Sequence, residues 1–263
     1  MFRVFALAVL ALLAPLEGGG VMLAARQTFL GRSAKAAAPT AKSYVQDGLI
    51  AMWDGIENAG WGVHDAATTW KDLSGNDYDL VIQNGVWQGN SLFCNNVELA
   101  AKRDNTPSIV HGATFEACVN ITATGNGGCV FYPGERARGI FLSNSSYIGE
   151  TGISLIDTIV DGRVNNYYLV PQGVDVTLTA VYAAGGFSCF VNGEAVTMAG
   201  TFKTLAGTGS NRGDNCVVGS AQLNNAQHKI KGNVYRIGIY SRVLTAAEVA
   251  ANYAIDKERF KLT

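Results

Sequence analysis

The sequence predicts an all-β protein, an antiparallel two-sheet sandwich closed by one short C-terminal helix, and three observations carry that expectation. Strand-length runs rich in Val, Ile, Thr and Tyr follow one another with no helical pattern between them, which marks an antiparallel sandwich and not a parallel α/β sheet. Turn formers are dense: 31 Gly and only 16% charged residues in a chain of 263, a balance that favours short strands joined by tight turns. One helical signal stands apart near the C terminus, where Thr245-Ala246-Ala247-Glu248 spells a capping box.

The first strand falls around Leu49–Trp53, after Val45 opens the domain. Further strands are expected at Leu80–Gln83, Ser91–Phe93, Val97–Ala100, Ala113–Ile121, Gly128–Tyr132, Ile140–Ser143, Gly152–Ile159, Tyr167–Leu169 and Val174–Tyr182. Ala113–Ile121 alternates, with Phe115, Ala117, Val119 and Ile121 on one face and Thr114, Glu116, Cys118 and Asn120 on the other. Phe187–Asn192 and Val196–Met198 flank Asn192-Gly193, the dipeptide most compatible with a type I′ hairpin turn. Tyr235, Ile237 and Ile239 read as one face of a core strand. After Thr245, residues Val249, Asn252, Tyr253 and Asp256 continue at helical spacing, and Leu244 with Val249 is placed as a hydrophobic staple. Arg242 and Glu248 are expected to tie the last strand to that helix.

Residues 1–44 read as a signal-like leader and linker, and residues 45–263 as one sandwich domain, a size at which such folds commonly remain a single unit. Arg3 followed by the apolar run Val4–Leu13 resembles the start of a secretory signal and is too short to span a bilayer. The alternative start is Met22, which leaves a basic, Ala-rich leader. A net charge of −1 gives no electrostatic reason to expect nucleic acid, and 48% hydrophobic residues exclude a disordered chain. The five cysteines (Cys94, Cys118, Cys129, Cys189, Cys216) contain no CxxC, so a zinc or redox motif is not indicated. They read first as buried small hydrophobes, with a Cys118–Cys129 bridge across a hairpin as the alternative in an exported protein.

Gly232-Asn233-Val234-Tyr235-Arg236-Ile237-Gly238-Ile239-Tyr240-Ser241-Arg242-Val243-Leu244-Thr245-Ala246-Ala247-Glu248 closely resembles the closing segment of laminin G-like, concanavalin A-like jelly-roll domains. Leu49–Asp54, Trp70-Lys71-Asp72-Leu73-Ser74-Gly75-Asn76 and the hairpin Phe187–Glu194 are similar to further pieces of that family, in the same order. The resemblance covers roughly residues 45–260. It implies a jelly roll, and members that mostly bind glycans or proteins, some with Ca²⁺. Fold alone does not fix function.

Chemistry was sought and mostly not found. Glycoside hydrolases of this fold carry E-x-D-x-x-E, which points two carboxylates into one cleft, and that motif is absent here. Asp157 and Asp161 are a lone acidic pair, and His64, His111 and His228 are scattered. Arg212-Gly213-Asp214 matches an adhesion tripeptide, and Asn120-Ile121-Thr122 and Asn144-Ser145-Ser146 match glycosylation sequons. The expectation is therefore no enzyme and no required cofactor, calcium being the one candidate ion. Residues 53–79 hold three of the four tryptophans and many oxygen ligands. Within them Trp53 and Trp70 read as core, and Trp61, between Gly60 and Gly62, as the surface aromatic. Candidate ligand-binding residues are Trp61, His64 and Asp65, joined by Asn211 and Asp214 from a second polar loop. Asp72, Asn76 and Asp77 are candidate calcium ligands, or with Ser74 simply a hydrogen-bonded turn. The expected function is a non-catalytic recognition module of a secreted or surface protein that binds glycan or a surface protein. The alternative is a structural, decoration or attachment component of a phage particle or cell-surface assembly, with oligomeric partners.

Overall fold

A computed structural model describes residues 38–97, 99–104, 112–124, 128–132, 140–144, 153–156, 166–183, 186–200, 215–220 and 229–263. The leader up to residue 37, His111, the pair Asp157 and Asp161, Asn211, the tripeptide Arg212–Asp214 and His228 lie outside the described residues.

In chain order the strands are β1 (Leu49–Asp54), β2 (Thr69–Trp70), β3 (Leu80–Ile82), β4 (Val86–Gln88), β5 (Ser91–Asn95), β6 (Ala101–Asp104), β7 (Ala113–Thr124), β8 (Cys129–Tyr132), β9 (Ile140–Asn144), β10 (Ile153–Ile156), β11 (Asn166–Val170), β12 (Asp175–Ala183), β13 (Gly186–Val191), β14 (Glu194–Val196), β15 (Ala199–Gly200), β16 (Asn215–Val218) and β17 (Ile230–Tyr240). The helix α1 (Ala246–Phe260) follows. They make two antiparallel sheets, the jelly-roll sandwich that the sequence predicts. One runs β14-β13-β12-β7-β17-β5-β4, with β1 pairing β17 beside β5; the other runs β15-β11-β10-β9-β8-β16-β6-β3-β2.

The two longest strands, β7 and β17, pair at the centre of the first sheet. Their inward residues Phe115, Ala117, Val119, Ile121, Val234, Ile237 and Ile239 meet Phe131, Ile140, Leu142 and Val218 of the second sheet in the main core. Phe131 packs against both Trp53 and Phe115, at ring-centroid distances of 5.6 and 6.3 Å. Removing this much apolar surface from water is the main stabilising term.

Strict alternation in β17 fails at one point. Its register against β7 shifts between Lys231 and Gly232, where β7 carries the extra residue, and again between Val234 and Arg236; at the second shift the extra residue enters β17 and turns Tyr235 away from the core face it was expected to share with Ile237 and Ile239. Tyr235 packs instead on Phe260 of α1, and its hydroxyl donates to Asp175 at 2.9 Å. The expected strand Val97–Ala100 also moves, to Ala101–Asp104, because Asn96 and Leu99 adopt positive φ values of 54° and 53° that break the extended run. Asn192-Gly193, with φ of 51° and 79°, makes the turn between β13 and β14 as expected.

The helix starts where the capping box places it. The Thr245 hydroxyl accepts the Glu248 N–H, and Glu248 Oε2 accepts the Thr245 N–H at 2.8 Å. Leu244 and Val249 share one apolar cluster. Arg242 makes a two-pronged ion pair with Glu248, at 3.0 and 2.6 Å. Hydrogen bonds from Arg242 and then from the Thr245 backbone hold the Glu248 carboxyl down to about 2. Because this value lies below the ordinary one, the stabilisation is complete above about pH 4.5 and is lost as pH falls toward 2. Glu248→Gln should therefore show a shallower acid loss of stability over that window. The difference in urea titrations should stay under about 1 kcal/mol, since the pair is partly exposed. An unchanged acid limb would refute the coupling.

Residues 38–44, expected as linker, lie in the compact unit Ala38–Thr263 together with the sandwich. Ala41–Ser43 form a 3₁₀ turn, and Ala41 and Tyr44 are buried. All five cysteines are unbridged and buried. The alternative Cys118–Cys129 bridge is corrected by topology: Cys118 faces α1 beside Phe260 and Leu262, while β8 carries Cys129 into the other sheet. Burial pushes the Cys94 thiol up to about 12, so it behaves as a small hydrophobe. The first sequon is also absorbed by the fold, since Asn120 lies in β7 with its Nδ2 donating to Asp175 at 2.8 Å.

Candidate functional site

The loop between β1 and β2 displays the surface aromatic. Its entry is fixed by Asp54, buried at the end of β1, whose Oδ1 accepts the N–H groups of Ile56 and Glu57 at 2.7 and 3.2 Å. Arg259, reaching down from α1, donates to Asp54 Oδ2 at 2.7 Å, to Glu57 Oε1 at 3.0 Å and to the Pro39 carbonyl at 2.8 Å. The middle of the loop is closed by Asn58, fully buried. Its Oδ1 accepts the His64 N–H at 2.9 Å and its Nδ2 donates to the His64 carbonyl at 3.1 Å. The exit is held by Trp70, whose Nε1 donates to the Asp54 carbonyl at 3.0 Å, and by the Lys71 N–H on the Asn58 carbonyl. These bonds fix the base and the exit of the loop, from which the tip is displayed.

At its tip Trp61 is 78% exposed and Val63 48% exposed. Trp53 and Trp70 are completely buried, the division expected of the tryptophans. The His64 imidazole stands nearly perpendicular to the Trp61 indole, at 77° and 6.4 Å between centroids. Asp65 is exposed beside it. The structure thus brings Trp61, His64 and Asp65 together on one loop, while Asn211 and Asp214 lie outside the described residues. Two members of this loop escaped the sequence reading. Val63 could have been found as an apolar neighbour of Trp61 in a Gly-rich run; Asn58 gives no sequence signal, because its role is a ring closure visible only in three dimensions.

The candidate calcium ligands make a turn instead. Asp72 Oδ1 accepts the N–H groups of Met52 and Ser74, each at 2.9 Å; Asp72 Oδ2 accepts the Tyr78 N–H at 3.0 Å and the Ser74 hydroxyl at 2.7 Å. Asn76 Nδ2 donates to the Ile50 carbonyl and to Ser74 Oγ. Both Asp72 oxygens are committed to donors, which makes it a poor ligand for a hard cation needing six or more oxygens. Asp77 contributes its backbone carbonyl to Arg103. Among the described residues no group of three or more His, Cys, Asp and Glu could hold a metal ion. Asp72 and Asn76, with Ser74, thus form the hydrogen-bonded turn that was the alternative expectation for these residues.

Among the described residues a charged constellation around Arg236 is fully buried. Arg236 of β17 donates to Asp256 of α1 at 2.7 and 2.9 Å and to Glu116 of β7 at 3.1 Å, with all three side chains fully buried. Asp256 also accepts the hydroxyls of Tyr44 and Thr177 at 2.7 and 2.8 Å, and Asn252 donates to Glu116 at 2.9 Å. Tyr44 stacks its ring over the guanidinium at 4.4 Å. Burial raises the Glu116 carboxyl above the usual carboxylate range against the pull of Arg236. The cluster clamps α1 to the outer face of the first sheet. Two carboxylates with no exposed surface cannot serve as a hydrolytic acid and nucleophile, which must reach substrate.

Comparison with known proteins agrees with the architecture. The model of the concanavalin A-like lectin/glucanases superfamily matches residues 95–250. Among curated proteins none matches. A Trypanosoma rangeli sialidase in complex with sialic acid superposes with a TM-score of 0.58 at 15% identity, over 85% of this chain and 34% of the sialidase. The binding domain of Paraclostridial Mosquitocidal Protein 1 gives 0.54 at 14% identity, over 79% of this chain and 52% of that one. The Botulinum Neurotoxin serotype G binding domain gives 0.54 at 13%, over 80% and 51%. The chain thus spans about a third of the sialidase and about half of each toxin domain. At these identities the likeness is one of fold.

Proposed function

The chain belongs to the concanavalin A-like lectin/glucanase superfamily, and from that premise we propose that it is a non-catalytic recognition module of a secreted or surface protein, binding glycan or a surface protein through the Trp61 loop. The observation that carries the reading is Trp61 itself. An indole 78% exposed on a loop whose base is fixed by Asp54, Asn58 and Arg259 gains nothing for the fold. It offers an exposed aromatic face of the kind that dominates binding surfaces. His64 and Asp65 add polar groups beside it. Two of the similar structures are themselves titled binding domains, in keeping with a recognition role. The sialidases are far longer than this chain, and their chemistry is not carried over. The non-catalytic reading is supported by the burial of Glu116 and Asp256. The export reading is supported by Arg3 and the apolar run after it.

A glycan-array screen of the full chain, paired with Trp61→Ala, tests this. Binding should fall at least about tenfold in the variant, while stability stays within about 0.5 kcal/mol, because an exposed side chain is removed. Binding that survives the substitution overturns the site. A blank array from a folded, oligomeric protein favours a structural or attachment role in a phage particle or cell-surface assembly.

A further inference from the structure

We infer that the ligand of the Trp61 loop is a neutral sugar residue, presented by its C–H face and not by an acidic group. The inference rests on the recognition reading above and adds the chemical class.

It follows from the charges around the indole. Residues 55–69, which build the loop, contain no Lys and no Arg. The cation that follows, Lys71, is ion-paired with Asp79, and hydrogen bonding to that carboxylate raises its pKa. Arg259 beneath the loop is 4% exposed; its Nη1 and Nη2 donate to Pro39, Asp54 and Glu57, and its Nε is buried. Arg103, near the following turn, lies over the Tyr78 ring at 5.0 Å and donates to the carbonyls of Asp77 and Asp79. An incoming carboxylate, sulfate or phosphate would thus meet no guanidinium or ammonium on residues 55–69, and the half-exposed Lys71 beyond them already carries the Asp79 carboxylate, although such cations are what bind anions by paired, charge-assisted hydrogen bonds. The charged side chain that the loop exposes four residues after Trp61 is Asp65, and like charges suppress binding.

A neutral pyranose meets complementary groups. The apolar C–H face of the ring covers the indole and removes apolar surface from water. Its hydroxyls donate to the Asp65 carboxylate, an acceptor whose charge strengthens each such bond. The His64 ring, set nearly perpendicular to the indole, stands as a second wall with a nitrogen for a further hydroxyl. Val63, exposed on the same tip, extends the apolar floor.

The test is a titration of the full chain against matched sugar pairs that differ by one acidic group: lactose and 3′-sialyllactose, N-acetyllactosamine and its 6-sulfate, and xylotetraose with and without a glucuronic acid branch. The neutral member of at least one pair should bind about tenfold or more tightly than its acidic partner. That binding should be lost in Trp61→Ala and weakened about tenfold in Asp65→Asn. Tighter binding of the acidic members that is still lost in Trp61→Ala overturns the neutral-sugar inference and leaves the site standing. Binding indifferent to Trp61→Ala overturns the site together with the inference, and so does a panel in which nothing binds.

Discussion

Arg236→Met should cost about 3–5 kcal/mol of stability, because it leaves the Glu116 and Asp256 carboxylates buried without their counter-charge. The guanidinium lies completely inside, bridging the two acids across the interface between the first sheet and α1. Methionine fills a comparable volume, so the loss reports the stranded charge more than a cavity. The deficit should shrink as pH falls and Glu116, whose carboxyl burial already raises, takes up a proton, since a neutral carboxyl costs less to bury. It should also shrink in the triple variant that adds Glu116→Gln and Asp256→Asn, because neutral partners in place of a broken ion pair remove most of the desolvation penalty. Urea denaturation of the three proteins across pH measures this. A loss under about 1 kcal/mol, or a deficit that does not change with pH, would show that the cluster does not hold the helix.

Gly232→Ala is expected to be nearly as damaging, for a steric reason. Gly232 sits in β17 at φ 150°, and a Cβ there would lie 2.1 Å from the Asn120 carbonyl oxygen of β7. The obstacle is backbone in the most extensively paired strand of the sheet, so relief requires β7 and β17 to separate. Overpacking of this kind, added to backbone strain at positive φ, should total about 3 kcal/mol or more. A thermal midpoint shifted by less than a few degrees would mean that the register slip beside Gly232 gives way cheaply.

These two positions also show where sequence reading reaches its limit. The capping box at Thr245, the Arg242–Glu248 tie, the Asn192-Gly193 hairpin and the alternation of β7 were all legible, because each depends on residues close in sequence obeying a period or a local hydrogen bond. Arg236 lies within the most specific motif of the chain, yet its role was not legible: its partners are 120 residues away on β7 and 20 away on α1. The strand slip that turns Tyr235 outward is likewise a two-strand property, invisible in the alternation of one.

The sequence by itself determined the fold class, the order of most strands, the start of the helix and the division of the tryptophans between core and surface, since those follow from hydrophobic periodicity and turn chemistry. Only the tertiary structure decided that Ala41 and Tyr44 pack into the sandwich unit, that Asp72 organises a turn, and that Asn58 and Arg259 together hold the base of the Trp61 loop. Such outcomes depend on which distant groups the sandwich brings within hydrogen-bonding distance, and buried donors and acceptors take the partners that packing places beside them.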